Sequence, residues 1–132
     1  DNLSDFNLEE MVNVYHEHNK DVIGLFDVGN IELAKLYGIA DLNGNRIVDF
    51  VEKPASPPST LAATAYWLLS KEGIDNFFSY IDEGGDRDAM GNFLTWNVKK
   101  TSVFSVSFNG NWYDIGSLDS YYQAQKWIER RP

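Results

Sequence analysis

The chain has 132 residues, 43% hydrophobic and 23% charged, enough for one domain with a real core and ordinary for a soluble globular sequence. Its net charge of −9 carries no basic stripe, which argues against duplex nucleic acid as a partner. Cysteine is absent, so disulfide scaffolds and thiolate metal sites are excluded.

No apolar run approaches the ~20 residues of a membrane helix, and no signal peptide is visible, so a cytoplasmic location is expected. The first residue is Asp, not Met, which reads as a fragment or a processed product. Aromatic residues reach 14%, a content suited to large packed surfaces or a stacking pocket.

In chain order, "DFNLEEMVNVYHEHNKD" predicts a helix with Leu8, Met11, Val12 and Tyr15 on its apolar face and Asp5 or Asn7 as cap. His16 and His18 are two apart on it, diverge, and read as solvent-facing. "VIGLFDV" predicts a buried strand and "IELAKL" a short helix. "YGIADL" and "RIVDFVE" predict two strands around a turn, and "KPASPPST" a stiff loop. "LAATAYWLL" predicts a strand. "IDNFFSYI" predicts a helix with Ile74, Phe77, Phe78 and Ile81 inward, and "NFLTWNVKK" a second short helix. "SVFSVSF" and "WYDI" predict strands. A last helix runs from about Ser117, its cap, to Arg130. Alternating strands and helices indicate a layered α/β domain.

Residues 41–54, "DLNGNRIVDFVEKP", admit two foldings. Asp41, Asn43, Asn45, Asp49 and Glu52 stand at the oxygen-ligand positions 1, 3, 5, 9 and 12 of a calcium loop. That folding needs glycine at position 6, which is Arg46, and a helix after the glutamate, where Pro54, Pro57 and Pro58 stand. Proline within a helix costs about 3 kcal/mol. The hairpin explains the same letters. With Asn43-Gly44 at the turn, Asp41 faces Arg46, Ala40 faces Ile47 and Ile39 faces Val48. Ile47 and Val51 then fill one face and Val48 and Phe50 the other, giving a strand buried on both sides. Glu52 and Lys53 emerge at its end, where open α/β sheets bind ligands.

Four segments together resemble the sugar-1-phosphate nucleotidylyltransferase family. "YGIADLNGNRIVDFVEKP" looks like its Tyr-Gly…Glu-Lys-Pro segment, and "GNWYDIGSLDSYYQA" like its Trp-x-Asp-Ile-Gly…Ser-Tyr motif. "DAMGNFLTW" resembles an Asp-Ala-Pro-Gly-Asn-Phe-x-x-Trp stretch, and Asp1-Asn2 the end of a Gly-Asp-Asn motif. The resemblance implies a Rossmann-like α/β/α fold with a mixed sheet, of which residues 1–132 form a single partial domain carrying the sugar-phosphate and metal sites. It implies an enzyme that couples a nucleoside triphosphate to a sugar 1-phosphate with Mg²⁺. Asp1 and Asp114 match the metal ligands, and Lys53 the lysine that meets the sugar phosphate. Glu52 matches the carboxylate that accepts sugar hydroxyls, and Gly38 the backbone beside the sugar. Ala63 and Thr64 lie on the sugar-pocket strand, and Trp112 walls the metal side. Ala65 replaces a usual glycine and is expected to tighten the sugar pocket. Met90 replaces a usual proline.

Taken without the resemblance, Asp114 can equally cap a turn, Glu52 and Lys53 form a solvated pair, and Trp112 serve as core. No Gly-x-Gly-Thr-Arg loop occurs in the 132 residues. The family's N-terminal nucleotide-binding half therefore reads as missing, and the chain alone is expected to be inactive. Self-association, or supply of the missing half as another chain, is expected. A non-catalytic regulatory or sugar-binding module on the same fold is the alternative.

Overall fold

The computed structural model describes residues 1–131. Five strands form a mixed sheet that closes on itself in the order β2-β5-β3-β4-β6, with β1 and β7 as a separate two-stranded ribbon. The ring strands are β2 (Asp21–Asp27), β3 (Gly38–Asn43), β4 (Arg46–Glu52), β5 (Leu61–Leu68) and β6 (Val103–Phe108). β2 and β6 run parallel, and the other ring pairs antiparallel. The ribbon pairs β1 (Asn2–Ser4) with β7 (Trp112–Asp114) and, among the described residues, has no other strand on either side.

β2 is the most deeply buried strand of the ring. Its residues from Asp21 through Leu25 are all buried, as its apolar run predicts. Ile23 and Leu25 point into the ring with Ala40, Ile47, Phe50 and Val103, and Leu94 of helix α4 (Met90–Asn97) closes that core. Val22 points the other way and packs with Met11 of α1 (Glu9–His18), Val106 and Phe108. A third cluster, Ala34, Ile39 and Ala62, lies beside the single-turn helix α2 (Ile31–Ala34). No helix among the described residues is long and apolar enough to cross a membrane.

The calcium-loop folding is absent: residues 46–52 are strand, and the next element is β5, not an exiting helix. The hairpin turns one residue later than expected. Gly44, at φ +63°, takes the first central position with Asn45 after it, so Asn43 pairs with Arg46 and Leu42 with Ile47. A left-handed first position belongs to glycine in two-residue turns. A bulge at Val48 then shifts the register by one more residue, and Asp41 faces Asp49, not Arg46. Ile47 and Phe50 consequently share the core face, while Val48 and Val51 remain 47% and 37% exposed. β4 is buried on one face, not two.

Helix α3 (Lys71–Asp82) is also rotated from its expected orientation. Gly73 and Tyr80 are its buried residues, Phe77 meets Phe93 edge-on at 5.2 Å, and Phe78 is 63% exposed with Ile74 beside it outward. The cause is Asp21. Its buried carboxylate accepts the Ser70 N–H and hydroxyl, each at 2.7 Å, and an Asn97 amide at 2.8 Å, and Gly73 lies directly over it. Only glycine fits there, so that face turns inward.

On α1, Met11 is the buried residue, Leu8 and Val12 stay largely exposed, and Asn7 Oδ1 accepts the Glu9 N–H. His16 is exposed as expected. His18 is half-buried and stacks on Phe104 at 3.7 Å. Helix α5 (Leu118–Glu129) begins, as predicted, at Ser117, which forms a reciprocal capping box with Ser120.

Candidate functional site

The hairpin brings the start of β3 against the end of β4, with Gly38 opposite Glu52. Around this rung lies a cavity of ≈ 270 Å³ that gathers Gly38, Glu52, Lys53, Ala63, Thr64 and Asp114. Six residues expected to share a site are thus brought together by four separate strands.

Glu52 is half-buried, and no hydrogen bond or ion pair engages its carboxylate among the described residues. It lies between two glycines. A Cβ on Gly38 would stand 2.8 Å from Glu52 Oε2, and one on Gly91, in the first turn of α4, 1.9 Å from the same atom. Two backbones thus close on an acceptor left free to face the cavity.

Lys53 stands just past the strand, with φ +46° and its N–H donated to the Tyr37 carbonyl at 3.0 Å. The left-handed conformation costs a non-glycine residue about 1–2 kcal/mol. Here it lies between the end of the ladder and the buried Pro54. The side chain is exposed at the cavity rim and makes no ion pair among the described residues. It presents an uncommitted ammonium.

Ala63 and Thr64 line the cavity from β5, but the Thr64 hydroxyl is spent: it donates to the Gly24 carbonyl at 2.8 Å and accepts the Tyr66 N–H. Thr64 therefore shapes the wall and offers no free donor. Trp67 closes the same wall, its indole N–H donated to the Thr64 carbonyl at 2.8 Å. Ala65 points elsewhere. It is exposed, lines a groove against α1, and does not tighten this cavity, because the β2–β5 ladder is irregular between Ile23 and Leu25 and β5 bulges at this point, which takes Ala65 off the wall that Ala63 and Trp67 form.

Asp114 ends β7 and is exposed. Its rung partner is Asn2, whose amide reaches Asp114 Oδ1 at 3.4 Å. Asp1 lies one step out of phase and pairs through its backbone with Ile115. The ribbon therefore brings the two aspartates to neighbouring rungs, not onto the same one. Among the described residues, no group of three or more His, Cys, Asp or Glu side chains gathers to hold a metal. Trp112 donates its indole N–H to Asn2 Oδ1 and packs against Phe26 and Tyr37, at 5.6 Å and 5.3 Å between rings. It walls a second cavity of ≈ 290 Å³ beyond Asp114.

Two contributors escaped the sequence reading. Gly91 lay inside the noticed "DAMGNF", and Tyr37 inside the noticed Tyr-Gly pair, but neither carried a local sign of its role. Tyr37 lines both cavities. Burial, and secondarily the negative charge of Asp114, raises its hydroxyl above the ordinary tyrosine range, so it stays a neutral donor.

A mixed sheet that gathers a carboxylate, an ammonium and a neighbouring aspartate about one cavity defines an α/β protein with a candidate site where folds of this class place their ligands. The family model described as Nucleotidyl transferase matches residues 1–131, and the chain belongs to that family. It is 30% identical over 129 residues to a glucose-1-phosphate adenylyltransferase of Mycoplasma mobile, covering 94% of this chain and 34% of that protein. The fold is shared with a UTP-bound UGPase from Acinetobacter baumannii (TM-score 0.79, 18% identity, 99% of this chain and 49% of that one). It is also shared with a UDP-glucose pyrophosphorylase complexed with UDP-glucose (TM-score 0.76, 21% identity, 98% of this chain and 54% of that one). The chain spans about a third of the length of the curated relatives it matches.

Proposed function

We propose that this chain forms the sugar-phosphate-binding portion of a sugar-1-phosphate nucleotidylyltransferase. In that reaction a phosphate oxygen of the sugar 1-phosphate attacks the α-phosphorus of a nucleoside triphosphate. The bond from the α-phosphorus to the β-bridging oxygen breaks, and pyrophosphate departs with its electron pair. The observation that carries the reading is the cavity in which the uncommitted Glu52 carboxylate, the free Lys53 ammonium and Asp114 meet.

Each group has a distinct task. Glu52, held between Gly38 and Gly91, accepts hydroxyls of the hexose. Lys53 meets the phosphate as a point charge and offsets the repulsion of a protein of net charge −9. Positioning of this kind supplies much of the acceleration of phosphoryl and nucleotidyl transfer.

Asp1 and Asp114 are the residues to hold Mg²⁺. Their donor type fits, since both are exposed carboxylates and Mg²⁺ takes hard oxygen ligands, keeps several waters and completes its shell with substrate phosphates; neighbouring rungs send side chains to opposite faces, however, so Asp114, which lines the cavity, is the better placed of the two. When bound, the ion neutralises charge on the reacting phosphates. The names of the relatives support glucose 1-phosphate as the first sugar phosphate to try. The bare edges of the β1–β7 ribbon, with exposed Leu118 and Tyr121 on the neighbouring α5, support association there with a second copy or with the rest of the fold.

The test is titration of the chain with glucose 1-phosphate, followed by calorimetry. Saturable binding is expected, weakened about tenfold or more in Lys53→Ala. Equal affinity of the variant, or no binding by the unmodified chain, overturns the reading. The chain alone is expected to release no pyrophosphate when nucleoside triphosphates are added, because it carries no Gly-x-Gly-Thr-Arg loop.

A further inference from the structure

Two cavities meet at one wall. Tyr37 and Asp114 are the two residues that line both. On one side stand Glu52 and Lys53. On the other lie Phe26, Trp112 and Gln123, whose side-chain amide has no partner among the described residues.

The wall is pinned. The Tyr37 N–H donates to the Ala34 carbonyl at 3.2 Å, and its own carbonyl accepts the Lys53 N–H. Its ring is backed by Trp112, itself fixed by Asn2 and Phe26. These bonds fix the residue's backbone, and the packed indole behind the ring resists its displacement toward the second chamber. The second chamber has an aromatic lining, one free amide, and no charge beyond the shared Asp114.

We propose that Tyr37 is a specificity-determining residue, a partition that confines the bound sugar phosphate to the Glu52 chamber and excludes hexoses carrying an acyl or acylamino substituent. The inference rests on the sugar-phosphate reading above. A sugar seated between Glu52 and Lys53 keeps its ring in the first chamber. A substituent on the ring carbon facing Tyr37 meets the aromatic ring. Without that ring the substituent enters the second chamber, its methyl against Phe26 and Trp112 and its carbonyl beside the Gln123 amide.

The experiment measures dissociation constants of the chain for glucose 1-phosphate and for two bulkier probes, N-acetylglucosamine 1-phosphate and 6-O-acetylglucose 1-phosphate. The unmodified chain is expected to prefer the unsubstituted sugar. In Tyr37→Ala the preference over at least one bulkier probe should narrow about tenfold or more, the scale at which pockets sort substrates by size. Tyr37→Leu serves the same purpose should the alanine variant not fold, with circular dichroism as the check. Tyr37→Phe keeps the ring and should keep the discrimination. A folded Ala or Leu variant that binds glucose 1-phosphate with an unchanged ratio overturns the partition alone. An unmodified chain that binds no sugar phosphate overturns the underlying reading and the partition with it.

Discussion

Two carboxylates in this molecule are lodged against a glycine in the first turn of a helix, and they have opposite fates. Asp21 sits under Gly73 of α3, where a Cβ would stand 2.0 Å from its Oδ1; Glu52 sits under Gly91 of α4, where the gap would be 1.9 Å. Asp21 is fully buried, and its two oxygens are taken by Ser70 and Asn97. Glu52 opens onto a cavity, and its carboxylate takes no hydrogen bond from the described residues. The packing device is the same, but the hydrogen bonds differ. A buried acid with a full set of donors organises a core, while an acid packed in place and left unpaired is available to a ligand, as proposed above for Glu52.

The largest effect that tests this contrast is Gly73→Ala. The new methyl meets a carboxylate that three hydrogen bonds prevent from moving, so either α3 shifts or the buried bonds break. We expect a loss on the order of 3–5 kcal/mol in urea unfolding, the combined scale of overpacking and of unsatisfied buried polar groups. A loss under about 1 kcal/mol would show that Asp21 is not anchored as described.

Gly91→Ala is the matching change at the other helix and should behave differently. The Glu52 carboxylate is the untethered end of a flexible side chain and can swing into the cavity. Stability should fall by only about 1 kcal/mol, while affinity for glucose 1-phosphate falls about tenfold. Glu52→Gln sharpens the point. It should leave stability within about 0.5 kcal/mol and weaken the sugar phosphate about tenfold, because a charged acceptor becomes neutral. Equal stability losses in Gly73→Ala and Gly91→Ala would erase the distinction between the two sites.

How much of this was legible in the sequence follows the same division. The free acid was readable: Glu52-Lys53-Pro54 ends a strand, and Gly38, its partner across the rung, stands in the same local segment. Ser117 announced α5, because a cap acts within three residues. The committed acid was not readable. Asp21 meets Ser70 and Asn97 across separations of 49 and 76 residues, and no local pattern encodes such a meeting. The rotation of α3 follows from that contact, so the helix was found and its inward face was not. The bulge at Val48 escaped for a related reason: alternation alone cannot show where a ladder gains a residue. β1 is three residues long and exists only because β7 lies beside it. Tyr37 could be read as part of a motif, but being a wall between two cavities is a property of the packed molecule.

A third carboxylate completes the comparison and gives the smallest effect. Asp5 is exposed, yet it accepts the Asn111 N–H and the Asn111 side-chain amide, each at 2.8 Å, with Arg131 at 3.9 Å. It too abuts a glycine: a Cβ on Gly110 would stand 2.4 Å from its Oδ1. The side-chain hydrogen bond from Asn111 is the leading cause that holds its carboxyl below the ordinary aspartate range, and the backbone bond adds to it. A carboxylate whose pKa is lower folded than unfolded contributes stability that is complete above the ordinary range near 3.8, and it loses that contribution as pH falls through the lowered value. Because solvent screens the site, the contribution stays below about 1 kcal/mol. Asp5 ties the β6–β7 turn to the end of β1, so acid should loosen the ribbon that carries Asp1 and Asp114 before it reaches the ring. In thermal melts from pH 7 down to about pH 3, Asp5→Asn should start lower and fall less steeply than the unmodified chain. Parallel curves would mean that these hydrogen bonds do not hold the ribbon, and that an exposed carboxylate seated on a glycine contributes little however well it is paired.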